Sequence, residues 1–443
     1  MKKTKIGFVS LGCPKNLLDT EVMLHKLASA GYELTPEETD ADIIVINTCA
    51  FIESAKQEAI ENILDIAWLK EHENLRGIVV TGCLVERYRD EVMTEIPEVD
   101  AVLGVGSIDR IVEAVRAVEN NEKYKSYEDK EAIALGGDRV ITTGDTMAYL
   151  KISEGCDNRC TYCAIPAIRG RFRSREEDDI IREAKELTSM GIRELVVIGQ
   201  DTTAYGKDLY GEYRLPRLLR RLAEETDVHW LRILYCYPDK ITDELIAELA
   251  TNPKVVKYID LPVQHVSDRV LRRMNRKGDG QVVRGAIERL RAGVPGITIR
   301  STAIVGFPGE TDEEFCELCE FVKWARFEHF GAFTYSREEG TPAYNLPDQI
   351  DEQVKQDRYD ILMRMQASIH DEIAEEHVGQ VVEVLCEGYD VVAETHYGRR
   401  AADAPEIDGK VYFSASKKQA PGTFLRVRVT EAMDYDLYGE MEE

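Results

Sequence analysis

Three times in the first 83 residues a short β-rich run closes on a cysteine: KIGFVSLGC on Cys13, IIVINTC on Cys49 and GIVVTGC on Cys83. Between them lie segments with the helical apolar period, Asn16–Ala30 and Glu53–Lys70, and a fourth β-rich run follows at Ala101–Val105. Strands separated by helices of this length form a parallel sheet with crossover helices. The chain is therefore expected to open with a flavodoxin-like domain over residues 1–125. In a doubly wound sheet of order 2-1-3-4 the three cysteine-bearing strands are neighbours, and their carboxyl ends meet where such folds bind ligands. One such cysteine would mean little, because cysteine packs well as a small buried hydrophobe. Three at equivalent topological positions point instead to a convergent three-thiolate site for an iron–sulfur cluster.

Cys13 alone supports a second reading. Lysines, a short apolar run and a cysteine, in that order, also mark a lipoprotein leader. A secretory apolar region takes roughly 7–15 residues, whereas Ile6–Leu11 is shorter and contains Gly7 and Ser10. The strand reading is favoured. No apolar run approaches the about eighteen residues of a membrane span, so a cytoplasmic protein without a membrane partner is expected. A formal charge of −26 over 443 residues argues against wrapping a phosphate backbone. In a chain expected to be intracellular, ten cysteines point to metal ligation or catalysis rather than to a disulfide framework.

Beyond a polar connection at residues 119–138, a second βα series runs over residues 140–375. Its strands are expected near Tyr149–Ser153, Leu195–Gly199, Trp230–Tyr235, Val256–Asp260, Thr298–Ile304 and Phe330–Tyr335. Six βα units fall short of the eight of a closed barrel, so an open (βα)6 partial barrel is expected, with its site at the strand carboxyl ends. Over residues 378–443 the pattern turns to alternation. Gln380–Leu385, Val391–His396, Val411–Ser414 and Thr423–Val429 read there as strands of a small antiparallel β-barrel. The fold class is α/β with an all-β tail.

SEGCDNRCTYC places Cys156, Cys160 and Cys163 just past the first strand of the second series, spaced C-x-x-x-C-x-x-C. Three thiolates on one tight loop can hold three irons of a 4Fe–4S cluster and leave the fourth open to a small molecule. A zinc site is the weaker reading, because structural zinc closes with four ligands and no fourth Cys or His lies nearby in sequence. Three unrelated thiols are the remaining alternative. The loop resembles that of the radical S-adenosylmethionine (SAM) enzymes. The resemblance implies that SAM chelates the open iron and that an electron from the cluster cleaves it to a 5′-deoxyadenosyl radical. It further implies SAM contacts from Tyr162 near the adenine and from Gln200 and Asp201 near the amino group. Arg300 and Ile304-Val305-Gly306 would be carboxylate and adenine contacts. Polar residues and glycines at strand ends are also ordinary turn formers.

The other four cysteines read as structural. Cys316 and Cys319 have a redox-like spacing but lie in an amphipathic helix, Asp312–Ala325, and Cys236 and Cys386 are isolated. RGRFRSR, residues 169–175, is the one dense basic run. It can face an acidic substrate, and Ser174 with Glu177 can form a capping box opening the next helix. His265, a lone histidine in LPVQH, is assigned no role.

A cysteine-bearing flavodoxin-like domain, a radical SAM partial barrel and a C-terminal β-barrel resemble the methylthiotransferases over nearly the whole chain. The tail is similar to their substrate-gripping TRAM domain. SLGCPKN, NTCAFIESAKQEAIE, KISEGCDNRCTYCAIPAIRG, LPVQHVSDRVLRRMNR and DYDLYG resemble the RimO branch, which modifies an aspartate of small-subunit ribosomal protein S-twelve. The MiaB branch, which thiomethylates a tRNA adenosine, has Q-S-G-S where this chain has Gln264-His265-Val266-Ser267. Charge points the same way: residues 378–443 hold 7 Lys plus Arg against 13 Asp plus Glu. A module that grips RNA should be basic, whereas an acidic one suits a basic ribosomal protein.

The resemblance implies two 4Fe–4S clusters. The one on Cys156, Cys160 and Cys163 would cleave SAM, and the radical would take a hydrogen from the aspartate β-carbon. The one on Cys13, Cys49 and Cys83 would present a sulfur that a second SAM methylates before transfer to the substrate carbon. No catalytic side chain is assigned beyond the cluster ligands. Implied partners are S-twelve or the small subunit, a reduced flavodoxin- or ferredoxin-type electron donor and a sulfur donor, with tRNA disfavoured. A non-catalytic cluster carrier, the remote alternative, leaves the six βα units without a use.

Overall fold

The computed structural model describes residues 3–133 and 135–442. The chain folds into two compact units, the first made of Met1–Thr142, Ser153–Arg175 and Ser336–Tyr344 and the second of Thr143–Ile152, Glu176–Tyr335 and Asn345–Glu443.

In the first unit, β1 (Lys5–Ser10), β2 (Glu33–Thr35), β3 (Ile43–Thr48), β4 (Gly77–Gly82), β5 (Ala101–Leu103) and β6 (Tyr124–Ser126) form one sheet. All pairings are parallel and the order is β2-β1-β3-β4-β5-β6. β3 and β4 are buried along their whole length, which is why they read as continuous apolar runs rather than alternating ones. Crossovers are made by α1 (Pro14–Ser29), α2 (Glu53–His72), α3 (Cys83–Tyr88), α4 (Asp90–Glu95) and α5 (Ile111–Glu119). The order corrects the expectation. The short edge strand β2, with the sequence ELT, has no β-rich signature, yet it takes the outer place. The strand before Cys49 therefore lies between those before Cys13 and Cys83 rather than outside them.

The chain enters the second unit with β7 (Met147–Lys151) and returns to the first for residues 153–175. There β8 (Ser153–Glu154) and β9 (Arg173–Ser174) pair antiparallel at the ends of a loop that contains α6 (Ile165–Arg169). Ala164 and Ile168 pack into the same apolar core as β3, β4 and β5, which ties this loop to the parallel sheet. The segment 336–344 is held in the first unit by a buried ion pair, Arg87–Glu338, at 3.0 Å.

In the second unit, β10 (Glu194–Ile198) and β11 (Trp230–Ile233) join β7 in a parallel sheet. β12 (Tyr258–Asp260), β13 (Thr298–Val305) and β14 (His329–Thr334) form another. A bridge between Leu231 and Val255 connects the two sheets, giving the open (βα)6 partial barrel. The capping box expected of Ser174 and Glu177 is absent. α7 (Glu177–Ser189) is capped at Glu176 without a side-chain bond, Ser174 belongs to β9, and the Glu177 carboxylate pairs with Arg214 and Arg221.

The tail closes into a barrel of β15 (Val381–Asp390), β16 (Thr395–Arg399), β17 (Val411–Ser414), β18 (Phe424–Met433) and β19 (Asp436–Met441). The strand expected over Val391–His396 begins only at Thr395. Asp390 accepts the N–H groups of Val392 and Ala393 at 2.8 and 3.0 Å, an Asx turn that removes residues 391–394 from the ladder. β19 completes the barrel and pairs with β17 in parallel, an exception in an otherwise antiparallel barrel.

A buried ion triad joins this barrel to the partial barrel. Glu194 of β10 accepts from Arg232 of β11 and from Arg399 of β16, each at 2.6 Å. All three side chains are almost wholly excluded from solvent. Glu194→Ala strands two buried guanidiniums and should cost about 3–5 kcal/mol. The fluorescence of Trp230, which meets Phe424 of β18 edge-on at 4.8 Å, reports the loss as a lower denaturation midpoint. An unchanged midpoint would show that the triad contributes no stability.

Candidate active site

Cys13, Cys49 and Cys83 follow the carboxyl ends of β1, β3 and β4, three adjacent strands. The residues before the first and third are Gly12 (φ +90) and Gly82 (φ +95), a conformation that glycine adopts without a Cβ penalty. A Cβ on Gly12 would sit 2.6 Å from the Cys49 Cβ and 3.0 Å from its sulfur, and one on Gly82 would sit 2.4 Å from Asn47 Oδ1. The Gly-Cys pairs in SLGC and VTGC thus let the strand ends approach closely. Asn16 laces them together. Its Nδ2 donates to the carbonyls of Leu11 and Thr48, both at 2.9 Å, and Asn47 donates to the Asn16 carbonyl at 2.8 Å.

Cys13 is the N-cap residue of α1 and Cys83 opens α3. Cys49 and Cys83 are buried and Cys13 is half-buried. Burial raises the Cys49 thiol, and the nearby Cys13 adds to the rise. Burial pushes Cys83 up to about 12 against the pull of Arg169, and Cys13 and Cys49 push the same way as burial. The three sulfurs therefore share one electrostatic environment, in which thiolates require compensating positive charge.

Cys156, Cys160 and Cys163 lie on the loop between β8 and β9. Gly155 (φ +77) has no room for a side chain, since a Cβ there would lie 2.1 Å from the Arg171 carbonyl oxygen. The Cys156 N–H donates to the Gly170 carbonyl at 3.3 Å and the Cys163 N–H to the Cys160 carbonyl at 3.1 Å. Asn158 Nδ2 stands 3.4 Å from the Cys156 sulfur. Both trios belong to the first unit. Among the described residues, no three His, Cys, Asp or Glu side chains converge tightly enough for a single metal ion. A 4Fe–4S cubane takes each thiolate on a different iron, and two sets of three thiols suit that donor demand.

Arg169, six residues beyond Cys163, reaches the other trio. It is 2% exposed, donates to Asp19 Oδ2 and Asn16 Oδ1 at 2.5 Å each, and stands 3.8 Å from the Cys83 sulfur. Burial opposes its charge, but Asp19, Cys83 and Glu154 outweigh it and hold its pKa well above the ordinary value. In sequence Arg169 is only the first residue of a basic run, and nothing there separates it from its exposed neighbour Arg171.

Of the expected SAM contacts, Tyr162 is half-buried on the cysteine loop of the first unit. The others belong to the second unit. Gln200 and Asp201 follow β10. Asp201 is buried, accepts from the Lys240 ammonium at 2.8 Å, and takes the Thr203 hydroxyl and the Ala204 N–H at 2.7 and 3.2 Å. Gly306 follows β13 at φ +72, with its N–H donating to Glu310 at 2.9 Å. A Cβ there would lie 2.3 Å from Lys355. Arg300 is set apart from Gly306 by roughly 20 Å of strand at about 3.3 Å per residue. Near the amino end of β13, its guanidinium pairs with buried Asp408 at 3.1 Å, a partner more than a hundred residues away that a reading of strand ends cannot foresee. Arg300 thus braces the tail segment instead of lying at the strand carboxyl ends. His265 is buried, accepts the Ser267 N–H at 3.0 Å, and is lowered by burial to about 4. Cys236, Cys319 and Cys386 are buried and Cys316 is exposed.

Residues 150–322 match the radical SAM superfamily, residues 5–104 the uncharacterized protein family UPF0004, and residues 378–441 the TRAM domain. The chain is 47% identical to a protein of Desulforamulus reducens described as ribosomal protein uS12 methylthiotransferase RimO, over 99% of each chain. A protein of the same description from Acetivibrio thermocellus is 46% identical, over 99% of this chain and 98% of its own. The chain belongs to the RimO family of radical SAM methylthiotransferases. It is a radical SAM enzyme, with S-adenosylmethionine and 4Fe–4S clusters as cofactors. In fold it is similar to the radical S-adenosylmethionine methyltransferase TsrM of Kitasatospora setae. That match has a TM-score of 0.58 and 13% identity, and covers 86% of this chain and 79% of the other. Among the described residues no helix is long and apolar enough to cross a membrane.

Glu314 pins the LPVQHVSDR segment to the helix Asp312–Ala325. It forms a capping box with Thr311 and accepts from the Ser267 hydroxyl at 2.8 Å and from Arg269 Nε at 2.9 Å. Burial would raise its pKa, but Arg269, the Thr311 N–H and Ser267 outweigh it and hold the carboxyl at about 2. A depressed carboxyl stabilises the fold above its unfolded pKa and loses that contribution as pH falls toward the folded one. Glu314→Gln should therefore cost ~1–2 kcal/mol at pH 7, and the gap to wild type should shrink from pH 5 to pH 3. A gap that stays constant across that range would exclude a charge-based role.

Proposed function

We propose that the chain adds a methylthio group to the β-carbon of an aspartate in ribosomal protein uS12, the substrate that its relatives' names specify. The observation that carries this reading is the presence of two cysteine trios in one compact unit, one on adjacent strand ends and one on a single loop. Cys156, Cys160 and Cys163 would hold the cluster that binds SAM, and Cys13, Cys49 and Cys83 a second cluster. When bound, these groups supply the radical that removes the substrate hydrogen and the sulfur that replaces it.

The chain's own residues then position and exclude. Gly12, Gly82 and Asn16 draw the first three thiols together, and burial of Cys49 and Cys83 keeps water from that site. Tyr162, Gln200, Asp201 and Gly306 are assigned to SAM, with Lys240 holding Asp201 fixed. The work divides over residues 1–125, 140–375 and 378–443. The last of these, with 13 acidic against 7 basic residues, complements a basic ribosomal protein rather than RNA. The reaction is placed in the cytoplasm, with a flavodoxin- or ferredoxin-type reductant and a separate sulfur donor.

Anaerobically reconstituted wild type should carry about eight iron atoms per chain, and the combined Cys13→Ala, Cys49→Ala, Cys83→Ala variant about four. The variant should still cleave SAM under reduction but transfer no methylthio group. A variant that keeps all its iron sinks the second cluster. Supplied with uS12 or with tRNA, the wild type should modify uS12, and modification of tRNA alone would reverse the choice of substrate.

A further inference from the structure

A buried guanidinium is stable only when its charge and its N–H groups are matched. Arg169 is matched unevenly. Nη1 meets Asp19 at 2.5 Å and Glu154 at 3.6 Å. Nη2 is shared between Asn16 Oδ1 at 2.5 Å and the Cys83 sulfur at 3.8 Å. Asn16 itself is the residue whose Nδ2 ties Leu11 to Thr48, the residues just before Gly12 and Cys49. One fork of the guanidinium thus faces carboxylates, and the other faces a cysteine and the side chain that spaces its two neighbours.

We propose that Arg169 is a positioning residue for the cluster held by Cys13, Cys49 and Cys83, fixing Cys83 and Asn16 and raising that cluster's reduction potential with its buried charge. This rests on the reading of those cysteines as cluster ligands. Charge and hydrogen bonds at the sulfurs set the potential of such clusters, and a charge in a low-dielectric interior acts strongly over a few ångströms. Reduction adds an electron, which a fixed positive charge favours. Asp19 partly offsets that charge, so removing the aspartate's charge should act in the opposite direction. The residue that tunes the first trio is carried by α6, on the loop that bears the second.

The test uses the full chain with Cys156, Cys160 and Cys163 all changed to Ala, so that only the other cluster is titrated. After anaerobic reconstitution this parent should hold about four iron atoms. If it holds none, the cluster reading fails and takes the inference with it. In a redox titration followed by electron paramagnetic resonance, Arg169→Gln should make reduction about tenfold less favourable, a fall of about 59 mV for a one-electron couple. Arg169→Lys, which keeps the charge, should fall less, and Asp19→Asn should rise. A loaded Arg169→Gln with the parent's potential overturns the proposal, as does a lysine variant that falls as far as the glutamine one. If Arg169→Gln does not retain iron, Asp19→Asn decides: an upward shift supports the role and an unchanged potential overturns it.

Discussion

The first unit depends on the cost of hiding one positive charge. A guanidinium removed from water must find carboxylate and carbonyl-type partners or destabilise the fold by several kcal/mol. Arg169, on α6 of the cysteine loop, finds them in Asp19 and Asn16 of α1. That requirement binds a segment beginning at Ser153 to the parallel sheet of residues 5–126. The apolar side of the same contact, Ala164 and Ile168 in the sheet's core, supplies burial without direction, and the ion pair supplies direction. Arg87 with Glu338 repeats the device for the segment 336–344. Arg87 also donates to the Ala50 carbonyl, next to Cys49, and the Ala343 N–H donates to the Thr161 carbonyl between Cys160 and Cys163. The two trios are therefore framed by two separate sets of polar contacts.

Close approach of the strand ends sets the second constraint. Placing β3 at the centre makes Cys49 the middle thiol, and the chain beside it must leave space. Glycines at positions 12 and 82 answer that need, since a Cβ at either would overlap the β3 terminus. A parallel sheet brings equivalent positions of successive βα units to one edge, so the geometry follows from topology and from two residues without side chains. A chain with the same cysteines and alanines at those positions would hold its sulfurs farther apart.

Only some parts of the molecule were legible in the sequence. Long buried strands were, because IIVINT and GIVVTG are apolar over lengths that fit only a covered parallel strand. So was the placement of Cys13, Cys49 and Cys83 at the ends of adjacent strands, which needs only the βα pattern. The edge strand β2 was not, because three residues carry too little period to register, and its omission displaced the expected strand order. Arg169 and Arg300 escaped for a different reason: each is defined by a distant partner, Asp19 and Asp408 respectively, and a local pattern cannot distinguish a buried arginine from a solvated one. The capping box at Ser174 is absent because Glu177 pairs instead with Arg214, the N-cap residue of the helix Leu215–Glu225, and with Arg221 within that helix. Tertiary charge pairing there overrode a local motif.

In the second unit the same physics determines how the acidic tail barrel is mounted. The barrel is joined to the partial barrel through directed polar bonds: Glu194 with Arg232 and Arg399, Tyr258 with Asp408 at 2.7 Å, and Tyr149 with Glu406 at 2.9 Å. A buried ion triad is a costly way to gain stability, since apolar residues of equal volume would often do as well. What it adds is a single geometry, because each bond tolerates only a few tenths of an ångström and a limited angle. The tail segment from Arg399 to Asp408 lies along the amino-end side of the strands, where Arg300 meets it, leaving Gly306, Gln200 and Asp201 at the opposite ends of theirs. These directed bonds fix the register of the tail barrel on the partial barrel, which apolar area alone, being non-directional, would leave less determined.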